Sequence, residues 1–153
     1  METNPQEQSS GHDIELRVPF GRRYNLDIDL SKQLKLLSPA SLAYIGDVVY
    51  ELFVRTHFLL PPMRNADYHA TVVKQVRAEG QILSLEKLRP YLTESEQDIL
   101  RWGRNGAIGG SRRIPSSLYR EASSLETLIG YLYLNDPQRL YEILLKLNPG
   151  TLI

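Results

Sequence analysis

The chain has 153 residues, of which 42% are hydrophobic, so its size and composition predict one folded domain with one core. Eighteen Lys and Arg residues balance 18 Asp and Glu residues, so a polyanionic partner would have to be bound by a local basic patch. The absence of cysteine excludes disulfide bonds, thiolate zinc sites and a cysteine nucleophile. Because the start is polar and no run of 18 apolar residues occurs, we expect a cytoplasmic protein without export signal or membrane span.

The N-terminal segment differs from the rest of the chain. Residues 1–30 are polar, carry six acidic and three basic side chains, and show little periodicity. A segment of this kind does not bury enough apolar surface to fold on its own. We therefore predict a mobile polar arm over residues 1–30 and a folded domain over residues 31–153.

The first predicted helix begins at Pro39, with Ser38 as its N-cap, and runs to about Leu60 before two prolines end it. Apolar residues recur along it at steps of three and four, as expected for one buried stripe. The members of this stripe are Leu42, Ile45, Val49, Leu52 and Phe53.

The remaining segments also have helical periodicity, and none alternates as a strand does. Thr93 and Glu96 have the spacing of a capping box, and Asp136 precedes a proline at the start of the last helix. The predicted fold class is therefore all-α, a helical bundle. The predicted helices cover about 65–79, 80–88, 94–105, 118–134 and 137–147.

Two of these helices each carry one acidic residue and one glycine within an apolar sequence. Gly46 and Asp47 lie in the first predicted helix. Glu126 and Gly130 lie in the predicted helix over about residues 118–134. Helices that carry glycine can cross closely, and a close crossing would let two carboxylates share one cation. Mg²⁺ prefers oxygen ligands and keeps several waters, so two carboxylates can suffice as its protein ligands. Asp47 taken alone is more readily explained as an ordinary surface aspartate.

Three segments then carry a family resemblance. Residues 42–47 read LAYIGD, residues 103–105 read GRN, and residues 125–132 read LETLIGYL. In this order the segments resemble the ribonuclease III family, and in particular its bacterial Mini-ribonuclease III subtype, which has the catalytic domain alone. The resemblance covers roughly residues 32–147, and it implies that residues 31–153 form a ribonuclease III catalytic domain.

The sequence departs from the larger family at two positions. Ordinary members have a further glutamate four residues before the aspartate and a further aspartate three residues before the glutamate. Here these positions are Ala43 and Ser123. The resemblance thus implies Asp47 and Glu126 as the catalytic residues and as the ligands of Mg²⁺, with more water around the cation.

A basic segment follows the fourth helix: residues 101–120 carry five arginines and no acidic residue. Duplex RNA is bound mainly through phosphates and 2′-hydroxyls, which basic side chains contact. A solvated helix face is the alternative for each residue alone. The candidate RNA-binding residues are Lys74, Arg77, Arg101, Arg104, Asn105, Arg112 and Arg113.

The resemblance further implies a homodimer that cleaves double-stranded RNA, with precursor 23S ribosomal RNA as the expected substrate and no small-molecule cofactor. The apolar first helix would supply much of the dimer contact, although its side chains are as readily explained as intrachain core. Candidates for that contact are Tyr44, Ile45, Val48 and Phe53.

Two other functions are also compatible with the sequence. One is a ribonuclease III-like factor that binds RNA or a ribosome assembly intermediate without cutting, which the two missing carboxylates would favour. The other is a helical scaffold for a protein partner. The scaffold predicts little salt-sensitive binding to duplex RNA, whereas both RNA-binding hypotheses predict an affinity that falls steeply with salt.

Overall fold

The computed structural model describes residues 36–107 and 113–147, and within these residues it contains helices and no strand, which confirms the all-α class. The predicted arm over residues 1–30 lies outside the described residues. A 3₁₀ turn over Arg89–Tyr91 follows the third helix. The helices are α1 (Pro39–His57), α2 (Asn65–Val76), α3 (Ala78–Leu88), α4 (Glu94–Asn105), α5 (Ser116–Asn135) and α6 (Pro137–Leu145).

The predicted helix starts are explained by side-chain caps. The Ser38 hydroxyl accepts a hydrogen bond from the Ser41 backbone amide at 3.1 Å, ahead of a proline at the first helical position. Thr93 and Glu96 form the complete capping box at the start of α4. The Asp136 side chain caps α6 in the same way. Each cap satisfies a backbone amide that the helix itself leaves without a partner.

Some predicted boundaries were wrong. Helix α1 ends at His57, three residues before the predicted Leu60, because Phe58 leaves the helical conformation ahead of the two prolines. Helix α5 begins at Ser116 rather than Leu118, directly after Pro115, whose backbone is extended.

The largest boundary difference is the corner between α2 and α3. The predicted helix 65–79 ends at Val76, because Arg77 has an extended backbone with ψ of 162°. Helix α3 then begins at Ala78 instead of Gly80. A Cβ on Gly80 would overlap the backbone carbonyl oxygen of Lys74, so only glycine allows the two helices to meet this closely.

Helix α5 forms the centre of the bundle and packs against α1, α3 and α4. The apolar residues that recur at helical spacing along α5 and α6 are buried, and they meet in one core with residues of α1 and α3. Buried members of the core from α5 and α6 are Leu125, Leu128, Ile129, Leu132, Leu140, Ile143 and Leu144.

The predicted stripe of α1 was only partly right. Leu42 is buried, but Leu52 is 64% exposed and Ile45 is also exposed. The buried face instead runs through Tyr50 and Val54. The line of burial is rotated because α1 approaches α5 through its small residues rather than through its largest apolar ones.

Within the described residues, no helix combines the length and the apolar character that a membrane span requires.

Candidate active site

The site begins at the point where α1 crosses α5. A Cβ on Gly46 would overlap the backbone carbonyl oxygen of Glu126, and a Cβ on Gly130 would overlap that of Leu42. The two glycines therefore let the backbones touch, which is the close crossing expected from the sequence. Asp47 follows Gly46 in sequence, and the backbone of Glu126 touches Gly46. The crossing therefore brings both carboxyl groups to one place.

Asp47 and Glu126 line the same cavity there. Their carboxyl groups lie close enough to interact, and each one changes the pKa of the other. Asp47 lies at the exposed edge of the site, whereas Glu126 is partly buried. Interacting carboxyl groups titrate as a pair rather than separately, because ionisation of one disfavours ionisation of the other.

The environment raises the pKa of both carboxyl groups. Burial is the main cause for Glu126, with a further contribution from the charge of Asp47, and together they raise its pKa to about 7. Burial and the charge of Glu51 raise the pKa of Asp47, against the hydrogen bond from Glu126. No Lys or Arg of the described residues lowers either pKa, so the pair carries negative charge that the surrounding protein does not balance.

A buried amide supports Glu126 from α3. The Nε2 atom of Gln81 donates to Oε1 of Glu126 at 2.9 Å and to the backbone oxygen of Val76 at 3.1 Å. This contact favours the ionised form of Glu126 and lowers its pKa relative to burial alone.

The two carboxyl groups open into a polar cavity of about 340 Å³ between α1, α4 and α5. Ala43 and Ser123 line it, so the side chains that replace the two family carboxylates leave open space beside the acid pair. Tyr44 and Tyr119 line the same cavity. No group of three or more His, Asp or Glu side chains is arranged for metal binding in the part of the chain that the structure describes.

Comparison with known proteins agrees with this architecture. The model of the Ribonuclease III domain matches residues 40–137, which include both acids and the cavity. The chain belongs to the ribonuclease III family. A Mini-ribonuclease 3 of Synechocystis is 55% identical over 108 residues, covering 71% of this chain and 76% of that protein. A Mini-ribonuclease 3 of Clostridium tetani is 39% identical over 131 residues, covering 80% of this chain and 85% of that protein.

A solved structure shows the same fold. The crystal structure of a protein from Fusobacterium nucleatum superposes with a TM-score of 0.63 at 28% identity, covering 70% of this chain and 88% of that one. The chain is therefore a member of the Mini-ribonuclease 3 group within the ribonuclease III family, and it is an endoribonuclease.

The structure places the predicted RNA-binding residues of this ribonuclease on two surfaces. Lys74 is exposed in the last turn of α2, and Arg77 is exposed at the corner before α3, 3.7 Å from Glu79. The second group lies at the end of α4 and beyond it, where Asn105 is the last helical residue.

In the second group the arginines are paired with acidic residues. Arg101 forms an ion pair with Asp98, and Arg104 lies 3.2 Å from Glu121. Arg113 is exposed just before α5, whereas Arg112 lies outside the described residues. The acid-free run of sequence is thus partly neutralised by acids from its own helix and from α5.

Four further side chains do not line the cavity of the acid pair. His69 is exposed on α2, and Trp102 is 40% exposed, so it is not a core residue. Phe53 packs against the core within the chain rather than on the exposed face of α1. Glu51 forms an ion pair with Arg55 at 2.5 Å and acts on Asp47 through its charge.

Sequence analysis missed Gln81. A signal was present, because Gln81 lies three to seven residues before Ser84, Leu85 and Leu88 on the buried face of α3. A glutamine on an otherwise apolar helical face needs a hydrogen-bonding partner when it is buried. The identity of that partner, on a different helix, was not visible in the sequence.

Proposed function

We propose that this endoribonuclease cleaves double-stranded RNA with Mg²⁺ held by Asp47 and Glu126. The observation that carries the proposal is that both carboxyl groups line one open polar cavity, close enough for the charge of Asp47 to raise the pKa of Glu126. Asp47 and Glu126 are the acidic residues among the side chains that line this cavity.

The chemistry of the donors fits a hydrated divalent cation. Mg²⁺ is commonly held by one or two carboxylates and several waters, and the cavity of about 340 Å³ has room for those waters. When bound, the cation supplies an activated water and offsets negative charge on the leaving oxygen of a phosphodiester. The unbalanced charge of Asp47 and Glu126 is the electrostatic reason for a cation to bind here.

The protein's own contribution is to position these groups. Gly46 and Gly130 hold the two helices in contact, which fixes the spacing of the acids. Ala43 and Ser123 leave space for water and for an RNA phosphate beside them. A partly buried site also strengthens electrostatic interactions with a phosphate relative to bulk water.

We propose that the basic residues around the site bind the RNA backbone. Lys74, Arg77, Arg101, Arg104, Asn105, Arg112 and Arg113 are the candidates. Within the described residues, Lys74 forms no ion pair, whereas Arg101 and Arg104 are held by acidic partners. Phosphates of A-form RNA would replace those acids as partners when the duplex binds, so affinity falls as salt increases.

We further propose that the active unit is a homodimer formed through α1. Tyr44, Val48 and Leu52 follow one another at steps of four residues, and they are 83%, 59% and 64% exposed. Ile45 extends this apolar surface, and Tyr44 also lines the cavity of the acid pair. Burial of such a patch against a second copy removes apolar area from water and places two sites along one duplex.

The physiological substrate that we propose is precursor 23S ribosomal RNA, in the cytoplasm. The support is the similarity to Mini-ribonuclease 3 proteins.

The direct experiment compares cleavage of a long RNA duplex and of precursor 23S ribosomal RNA, in Mg²⁺ and in EDTA. Asp47→Asn and Glu126→Gln should abolish the Mg²⁺-dependent cuts. The matched controls Asp67→Asn and Glu86→Gln change exposed acids that form local ion pairs on α2 and α3, and they should retain activity.

The outcomes separate the proposals. Selective cutting of the precursor supports the ribosomal substrate, whereas equal cutting of every duplex argues against it. Salt-sensitive binding without any cleavage would instead favour the RNA-holding function that Ala43 and Ser123 raised.

A further inference from the structure

Gln81 is a buried polar side chain whose burial is not explained by packing. It is 2% exposed and lies in the first turn of α3, on the face that also carries the core residues Leu85 and Leu88. A leucine or methionine would fill this space without burying an amide. A buried amide that persists on an apolar face needs a specific partner, because its desolvation is unfavourable.

The orientation of the amide is determined by two acceptors. Nε2 of Gln81 donates both to Oε1 of Glu126 and to the backbone oxygen of Val76. Rotation of the amide by 180° would place Oε1 of Gln81 against the backbone oxygen of Val76, which cannot donate a hydrogen bond in any protonation state of Glu126. The Val76 oxygen therefore keeps the nitrogen on the side of Glu126.

The other end of the same amide is left without a partner. Oε1 of Gln81 is buried and accepts no hydrogen bond from the described residues. An unsatisfied buried acceptor lowers stability. The chain thus retains an unfavourable buried oxygen in order to keep the nitrogen directed at Glu126, a pattern typical of residues selected for a site rather than for the core.

The backbone around Gln81 holds it in a defined position. Val76 ends α2, and the extended Arg77 turns the chain into α3. Gly80 allows the start of α3 to touch the carbonyl oxygens of Lys74 and Gln75. Gln81 therefore projects from a tight corner between two helices, so that a third helix, α5, receives its hydrogen bond at a fixed place.

We propose that Gln81 is a positioning residue, which acts through Glu126: its amide fixes the orientation of the Glu126 carboxylate so that the group faces Asp47 and the cavity. This inference rests on the proposed function, in which Glu126 and Asp47 hold the divalent cation. Hydrogen-bonding partners that orient metal ligands commonly change metal affinity or activity by about 10- to 100-fold when they are removed.

The test uses Gln81→Leu and Gln81→Met in the full chain, two variants of similar size that lack the donor. Mn²⁺ binding is measured by isothermal titration calorimetry in the absence of RNA, and duplex cleavage is measured as kcat and KM. We expect Mn²⁺ affinity and kcat each to fall about tenfold. KM for the duplex should change by less than about twofold, because RNA binding does not use this amide.

Ser84→Ala is the matched control. Ser84 is also buried on α3, and its hydroxyl lies 2.8 Å from the hydroxyl of Tyr50, away from the acid pair. It should lower the melting temperature while leaving Mn²⁺ affinity and kcat within about twofold of the wild type. If Ser84→Ala reduces Mn²⁺ affinity as much as Gln81→Leu does, the role of Gln81 is structural and the inference is overturned.

The failure of this inference is distinguishable from failure of the proposed function. Asp47→Asn and Glu126→Gln are titrated with Mn²⁺ in parallel. If they lose binding while both Gln81 variants bind as the wild type does, only the inference on Gln81 is wrong. If both acid variants retain wild-type binding, the proposed cation site itself is wrong.

Discussion

The two faces of α1 differ in the size and in the exposure of their side chains. One face carries Gly46 and presses directly against the backbone of α5, so that nothing larger than a hydrogen atom fits between them. The other face carries Tyr44, Val48 and Leu52, which are large, apolar and exposed. Small residues, rather than large apolar ones, therefore mark the buried intrachain contact of this helix. The large ones are available for a contact outside the chain.

The first prediction concerns the buried face of α1, where it contacts α5. Gly46→Ala places a methyl group against the backbone carbonyl of Glu126, which the two helices can relieve only by separating. We expect destabilisation of about 3 kcal/mol or more, despite the better helix propensity of alanine, and loss of cleavage. Urea unfolding measures the stability.

Thr56→Ala is the control on the same helix, at an exposed residue outside the apolar patch of Tyr44, Val48 and Leu52. It should change stability by about 0.5 kcal/mol or less. Equal effects of the two substitutions would contradict the close contact at Gly46.

The second prediction tests the exposed face. The double variant Val48→Glu, Leu52→Glu places two charges in the apolar surface, and charges buried against a second copy are unfavourable. We expect the protein to remain folded but to become monomeric, with cleavage reduced at least tenfold. Sedimentation equilibrium measures the oligomeric state, and circular dichroism measures the fold.

Tyr141→Glu is the control, because Tyr141 is 61% exposed on α6, a different helix. It should leave the oligomeric state unchanged. A wild-type chain that is monomeric at micromolar concentration would exclude the proposed dimer at that concentration.

The third and smallest effect concerns the acid pair beside the buried face. The pKa of Glu126 is raised from 4.5 to about 7, mainly by burial, so the folded state binds a proton that the unfolded chain releases. In EDTA, its contribution is therefore most favourable below pH 4.5, and it is lost as the pH rises to about 7. We expect a loss of about 2 kcal/mol over this range.

Urea unfolding at several pH values measures this slope. Glu126→Gln should flatten it, whereas Glu86→Gln, which changes an exposed glutamate on α3, should retain it. An unchanged slope in Glu126→Gln would show that Glu126 is not the titrating group.

Parts of the site were predictable because their signals are local. The two combinations of glycine and acid at Gly46, Asp47, Glu126 and Gly130 pointed to a helix crossing, and the structure shows the backbones in contact there. The pairing of Arg104 with Glu121 was not predictable, because 17 residues separate them in sequence and only packing of α4 on α5 brings them together. The donor to Glu126, Gln81, is 45 residues away in sequence.

The sequence by itself determined the all-α class and the helix caps, because periodicity and capping act over a few residues, and its two combinations of glycine and acid predicted the close crossing of α1 and α5. Only the tertiary structure decided which face of α1 is buried, which arginines are neutralised and which amide holds Glu126. These outcomes depend on how closely two helices approach, and that distance is determined by the fit of side chains far apart in the chain.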